Sequence, residues 1–259
     1  MHKIQIVAVH GFLGSADDWV NIEKDLQTKL SKFLQQSIEI QWLKINLFNQ
    51  SDDQIVADDL FSFHYLADKI RNLSDPNKVK IFIGYSLGGR IGLHLLEKYS
   101  FDFAHFIFLS THPGLTAHDE KRHRFSHDQQ WLRLLQQSTF AEFIKEWSQQ
   151  PVFKNDTAMV QNSSNLNLVK LEYGLRELSL ANQDNMEMHI QKNHARVSWL
   201  VGEKDFKFLQ IAENLKQKKI LSHYERISDS GHRILFDQPS QIASLLLSII
   251  LQLQQSPQN

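Results

Sequence analysis

The sequence contains no cysteine, which excludes disulfides, thiolate nucleophiles, cysteine-type zinc sites and iron–sulfur clusters together. It also lacks an excess of either charge. The 28 Lys and Arg stand against 29 Asp and Glu, a formal net charge of −1. No broad basic surface is available for nucleic acid, so any recognition of anions must rest on a few locally placed arginines. Long hydrophobic runs are missing too. The greasiest stretch, 242–253, is interrupted by Ser and Gln and is too short to span a bilayer, so a buried C-terminal helix is expected there and no membrane contact. Residues 1–10 show neither the apolar stretch nor the small-residue cleavage site of a signal peptide. Together with the absence of cysteine, this makes the cytoplasm the expected compartment.

What is present is ordinary globular material: 259 residues, 42% hydrophobic and 22% charged, enough for one sizeable core. Apolar runs alternate with helical stretches, the pattern of βα units around a parallel sheet. Strands are expected at 4–9, 38–45, 79–84, 103–109, 197–201 and 222–227, and helices at 17–30, 55–73, 87–99, 206–216 and 239–253. Between 115 and 193 the rhythm is helical and polar, with no convincing strand. The fold class is therefore α/β. Its core is expected in two parts, 1–114 and 194–259, interrupted by a helical insertion at 115–193 that covers the carboxyl ends of the strands as a lid.

The sharpest motif is Gly84-Tyr85-Ser86-Leu87-Gly88-Gly89, placed between the cleanest strand and the clearest helix. A G-x-S-x-G turn this tight admits only small residues two positions either side of the serine, and it lifts Ser86 above the sheet edge at a helix N-terminus. An activated serine needs an imidazole, and the imidazole needs an acid to fix its tautomer. In this arrangement the chain order is serine, acid, histidine, the last two each following a late strand. Asp205 follows the 197–201 run and His232 follows the 222–227 run. Glu203 is the rival acid, whereas Asp229 lies too near His232 in sequence to face its ring. The loop His10-Gly11-Phe12-Leu13-Gly14-Ser15 after the first strand is the expected source of a second backbone donor, so the amides of Phe12 and Leu87 are expected to form an oxyanion hole. His10 is expected to orient this loop. These residues point to an enzyme of the α/β-hydrolase type and do not name a substrate. No metal or cofactor is expected. His123 and His127, among 13 histidines, sit four apart, but no further pattern completes a zinc motif.

Beyond the core motifs, the chain resembles the menaquinone-pathway family of 2-succinyl-6-hydroxy-2,4-cyclohexadiene-1-carboxylate synthases (MenH). The likeness runs through Gly84 to Arg90, His112-Pro113-Gly114-Leu115, Arg124 with Asp128 and Trp131, Trp147 to Phe153, and Gly202-Glu203-Lys204-Asp205 with Lys207-Phe208. The insertion segments are the specific part. The resemblance implies a lyase reaction: a ring proton is removed and pyruvate is eliminated from 2-succinyl-5-enolpyruvyl-6-hydroxy-3-cyclohexene-1-carboxylate. It implies Ser86 as the base, with no acyl-enzyme. It also implies Arg90 and Arg124 as carboxylate ligands, with Tyr85 and Trp147 lining the pocket for a small polycarboxylate.

Two features depart from that family. Its further lid arginine has no counterpart in Gln161-Asn162-Ser163-Ser164-Asn165, and Arg176 is the next arginine along the chain. The loop Asn46-Leu47-Phe48-Asn49-Gln50 also lacks the family's proline–glycine–histidine–glycine sequence. A carboxylesterase or thioesterase with Ser86 as nucleophile is the alternative reading, since the triad is the same. A non-catalytic ligand receptor on this scaffold is a second.

Overall fold

The computed structural model of the chain describes residues 3–33, 38–50, 61–156 and 165–255. In β1 (Lys3–Val9) and β3 (Val79–Tyr85) every position after the first is buried. Strands apolar on both faces need cover on both sides, which a parallel sheet flanked by helices supplies. With β2 (Glu39–Ile45), β4 (His105–Leu109), β5 (Val197–Gly202) and β6 (Glu225–Ile227) they form one sheet of order β2-β1-β3-β4-β5-β6. Every neighbouring pair is parallel.

Successive side chains of a strand point to opposite faces, and the core divides accordingly. Ile4, Ile6, Ala8, Ile81, Ile83 and Ile107 pack under α1 (Val20–Phe33) and α10 (Pro239–Gln255), through Ile22, Leu26, Ile242 and Leu246. Val7, Val9, Phe82, Phe106 and Phe108 pack on the other face under α2 (Phe63–Leu73), α3 (Leu87–Tyr99) and α8 (Phe206–Gln217). The 242–253 run is thus buried in α10, as expected. Among the described residues no helix is long and apolar enough to cross a membrane.

Between β4 and β5 the chain forms α4 (His118–Gln137), α5 (Phe140–Ser148), α6 (Leu168–Glu177) and α7 (Glu187–Lys192). Leu132, Phe143, Trp147 and Leu171 from these helices join the same hydrophobic cluster as the α2/α3 face. The insertion therefore shares the core. A single antiparallel bridge, Asn49 to Leu166, ties it to the loop after β2, and Lys170 Nζ donates to the Asn49 carbonyl at 3.0 Å. Two elements differ from the sequence expectation. β6 is cut to three residues because this edge strand pairs only with Leu200–Gly202. α2 begins at Phe63, where the Ser62 side chain caps it by accepting from the Tyr65 amide; 55–60, also expected to be helical, lie outside the described residues. A short α9 (Ile234–Asp237) follows His232 and had no counterpart in the sequence reading.

Because β1 lies between β2 and β3, the chain leaves β1 for one side and returns on the other. The loops after β1 and β3 therefore part at their carboxyl ends, the crevice where open α/β sheets place their ligands. They meet backbone to backbone: a Cβ on Gly88 would come within 2.0 Å of the Val9 carbonyl oxygen. Gly88→Ala must push α3 off β1. We expect it to lose about 3 kcal/mol of stability, read as a lower urea midpoint; an unchanged midpoint would show that the two elements are not in close contact.

Candidate active site

β3 ends at Tyr85 and α3 begins at Leu87, so Ser86 alone turns the chain, with φ 49° and ψ −107°. A residue with a side chain held at positive φ is strained and persists only where its surroundings determine it. Here the Ser86 amide donates to the Leu109 carbonyl at 2.9 Å, and the Ser86 carbonyl accepts from the Arg90 amide at 3.0 Å. Gly84 leaves the room the turn needs, since its Cβ would lie 2.7 Å from the Gly88 carbonyl oxygen.

Ser86 Oγ lies 3.2 Å from His232 Nε2, and His232 Nδ1 lies 2.7 Å from Asp205 Oδ2. His232 and Asp205 are both buried. Asp205 accepts a hydrogen bond from Nδ1–H, which fixes the proton there and leaves Nε2 free to accept from the serine hydroxyl. Asp205 is also the N-cap of α8, its Oδ1 accepting from the Phe208 amide at 3.3 Å, so the interaction that starts the helix fixes the acid. Glu203 and Asp229 stay exposed, and Glu203 instead accepts from the Asp229 amide at 3.1 Å.

His10 anchors the loop after β1. Its Nε2 accepts from the Leu47 amide at 3.0 Å, and Nδ1 donates to the Gly11 carbonyl at 2.7 Å. Burial holds its pKa down at about 4, against a small rise from the Gly11 bond. This loop brings Phe12 to the cavity that Leu87, Ser86 and His232 also line. Leu87 is the first residue of α3, where an amide has no intrahelical acceptor.

The cavity has a volume of about 310 Å³. Among the described residues its charged lining is three cations, Arg90, Arg124 and Lys207, and one carboxylate, Asp128. Asp128 is buried and committed: both its oxygens accept from Arg124 Nε at 2.8 Å, and Oδ2 accepts from the Ser179 hydroxyl at 2.7 Å. Arg90 Nη2 donates to the Leu178 carbonyl at 2.8 Å, and the guanidinium lies over the Phe63 ring. Its Nη1 is buried with no hydrogen-bond partner among the described residues. Burial, then repulsion from Arg124, brings Arg90 down to about 9. The same two causes lower Lys207, with Arg90 adding to the repulsion.

Trp147 lines the cavity and packs on the Phe12 ring at 4.8 Å and on Trp131 at 4.9 Å, joining the insertion to the β1 loop. Tyr85 was expected to line the cavity and does not. Because β3 carries it under the β1 loop, its ring lies against Gly11 and beside the His232 ring, 5.6 Å away. Arg176 is drawn away by Glu177, 2.6 Å distant, and covers the Tyr173 ring, so it does not reach the cavity. Residues 161–164, where the family's further arginine has no counterpart, lie outside the described residues.

The profile of the alpha/beta hydrolase fold family matches residues 5–239. The chain belongs to that family. Within the hydrolase fold, its similarity extends to proteins named 2-succinyl-6-hydroxy-2,4-cyclohexadiene-1-carboxylate synthase. That of Klebsiella pneumoniae subsp. pneumoniae is 25% identical over 95% of this chain and 93% of its own length. A putative synthase of that name from Haemophilus influenzae is 27% identical over 81% and 84%. Among solved structures, MenH from S. aureus superposes with a TM-score of 0.82 at 22% identity, covering 98% and 96%. A thermophilic esterase from Thermogutta terrifontis reaches 0.69 at 16% identity, covering 97% and 90%.

Sequence reading gave no role to Lys207 or His112 on this hydrolase scaffold. Lys207 had a local signal: it sits in the first turn of α8, where the helix dipole opposes a cation. His112 had none. Its Nδ1 accepts from the Gly114 amide at 3.0 Å, which leaves the proton of the neutral ring on Nε2. Burial, then Lys207, Arg90 and Arg124, hold it at about 3. His127 lines the cavity and accepts from Trp131 Nε1 at 3.3 Å, while His123 is exposed. His10 and His112 are thus neutral when folded and take up protons near pH 6.5 when unfolded. Stability is whole above about pH 7 and falls below pH 6.5, by about 1.4 kcal/mol per pH unit for each ring until its folded pKa is reached. Urea unfolding at pH 7.5 and pH 5 should show that loss, and equal midpoints would contradict the neutral assignment.

Proposed function

We propose that this hydrolase-fold chain is a carbon–oxygen lyase of menaquinone biosynthesis. It eliminates pyruvate from 2-succinyl-5-enolpyruvyl-6-hydroxy-3-cyclohexene-1-carboxylate to give 2-succinyl-6-hydroxy-2,4-cyclohexadiene-1-carboxylate. The observation that carries the reading is the pairing of a Ser86–His232–Asp205 line with three cations in one cavity. A neutral ester would leave the positive excess of Arg90, Arg124 and Lys207 over Asp128 unneutralised, whereas a tricarboxylate supplies the missing negative charge. The near end-to-end similarity to proteins named for that product supports the same choice.

In this mechanism Ser86 Oγ removes the ring proton next to the succinyl ketone while its own proton passes to His232 Nε2. Asp205 stabilises the imidazolium that forms. The electron pair left on the ring spreads into the ketone oxygen, which the amides of Phe12 and Leu87 hold as an enolate. Collapse of the enolate shifts the ring double bond and expels the enolpyruvyl oxygen as an enolate; His232 returns its proton to the departing group, which ketonises to pyruvate. Arg90, whose Nη1 has no partner among the described residues, and Arg124 bind carboxylates through guanidinium N–H groups. Lys207 takes the place of the missing lid arginine as the third cation. Trp147 and Phe12 form the apolar wall against the ring. The esterase reading shares the triad and loses on the cations.

Pyruvate release followed with a coupled dehydrogenase tests this. Ser86→Ala and His232→Ala should each lower kcat by about 10³-fold or more; pyruvate released by Ser86→Ala at the wild-type rate would overturn the role of the triad. Removing one charge-assisted contact costs about 1.5–3 kcal/mol. Arg124→Ala and Lys207→Met should therefore raise KM at least roughly tenfold, while Arg176→Ala leaves KM in place. The opposite pattern would move the third carboxylate site to Arg176.

A further inference from the structure

Two to three turns along α3 from Ser86, three helices bring histidines together. His64 comes from α2, His94 and Glu97 from α3, and His189 from α7. His94 is 1% exposed, and neither of its ring nitrogens has a hydrogen-bond partner among the described residues. Glu97 Oε2, beside it, is buried and accepts no hydrogen bond among the described residues. Buried polar atoms are rarely left unsatisfied, and each such atom calls for an explanation, an ion among them. One ring nitrogen of His94, Nδ1, faces Glu97 Oε2 at 3.7 Å, so a single ion between them would satisfy both.

We propose that His64, His94, Glu97 and His189 form a binding site for a divalent transition metal of the zinc class, separate from the cavity that holds Ser86. The spacing fits. In a tetrahedral zinc shell, with bonds of about 2.0–2.1 Å, neighbouring ligand atoms stand about 3.3–3.5 Å apart. Glu97 Oε1 lies 3.5 Å from His189 Nε2, and Glu97 Oε2 lies 3.7 Å from His94 Nδ1. The ligand atoms of His64, His94 and Glu97 all lie within 4.8 Å of one another; His189 stands outside that group of three and meets it through Glu97. His64, whose side chain is half exposed, has its Nε2 3.4 Å from Asp184 Oδ2 and would give up that exposed contact to turn inward. His94 is already oriented, because Phe63 stacks on its ring at 4.8 Å and His64 meets its edge at 4.9 Å. Imidazole and carboxylate ligands together suit zinc and its neighbours and do not suit calcium or magnesium. A metal here would clip α7, the last helix of the insertion, to α3, the helix that begins beside Ser86. It would also sit behind Phe63, whose ring carries the Arg90 guanidinium at 5.3 Å.

The test uses tag-free protein stripped with a chelator and titrated with zinc chloride by calorimetry at pH 7.5. The expected result is one equivalent bound in the micromolar range or tighter, with a rise of several degrees in Tm at saturating zinc. His94→Leu keeps the buried volume filled, and His64→Ala alters an exposed side chain that the fold does not need. Each should weaken zinc binding at least tenfold and abolish the rise in Tm. Binding of wild type weaker than about 100 µM would overturn the proposal and assign the orphaned atoms to a buried water. Zinc binding that both variants retain would overturn it too, placing the metal on other histidines.

Discussion

The rest of the molecule depends on the contact between the start of α3 and the end of β1. Gly88 sits so close to the Val9 carbonyl that no side chain fits between them, and that closeness draws the two diverging loops to one place. Ser86 must then turn the chain by itself, at positive φ, while Gly84 gives way beneath it. Phe12 and Leu87, the proposed oxyanion donors, line one cavity with Ser86 for the same reason. His232 and Asp205 arrive from the other half of the sheet, past β6 and β5, and complete a line whose starting point the glycines had set.

Charge is the second constraint. A chain of net charge −1 concentrates Arg90, Arg124 and Lys207 in one cavity and, among the described residues, supplies a single carboxylate there. Asp128 is held between Arg124 and the Ser179 hydroxyl, so it orients one cation and leaves the other two without a counter-charge. Buried cations repel one another, and the lowered pKa values of Arg90 and Lys207 record that repulsion together with their burial. An anionic ligand relieves both effects at once. The aromatic contact of Trp147 on Phe12 couples the insertion to the loop that supplies a proposed oxyanion donor, so filling the cavity and aligning the reacting end belong to one packing unit.

Much of this was legible in the sequence because it is written in local rules. Short apolar runs marked the strands, G-x-S-x-G marked the turn, and the order serine, acid, histidine at strand ends pointed to Asp205 and His232, with Glu203 as the rival acid. Long-range geometry was less legible. Tyr85 flanks the serine in sequence, yet β3 carries its ring beneath the β1 loop and away from the cavity. Arg176 was a reasonable substitute by position, but its neighbours Glu177 and Tyr173 hold it elsewhere. Lys207 takes its importance from Arg124, more than eighty residues before it in the chain. His64, His94 and His189 look like scattered surface histidines until α2, α3 and α7 pack together.

The central claim is that Ser86 acts as a base and not as a nucleophile. Intact-protein mass spectrometry after rapid quenching, during a single turnover of the enolpyruvyl substrate, tests it most directly. The account predicts that pyruvate appears while the protein mass stays unchanged at every time point. A transient adduct on Ser86 that forms and decays at the rate of turnover would contradict it.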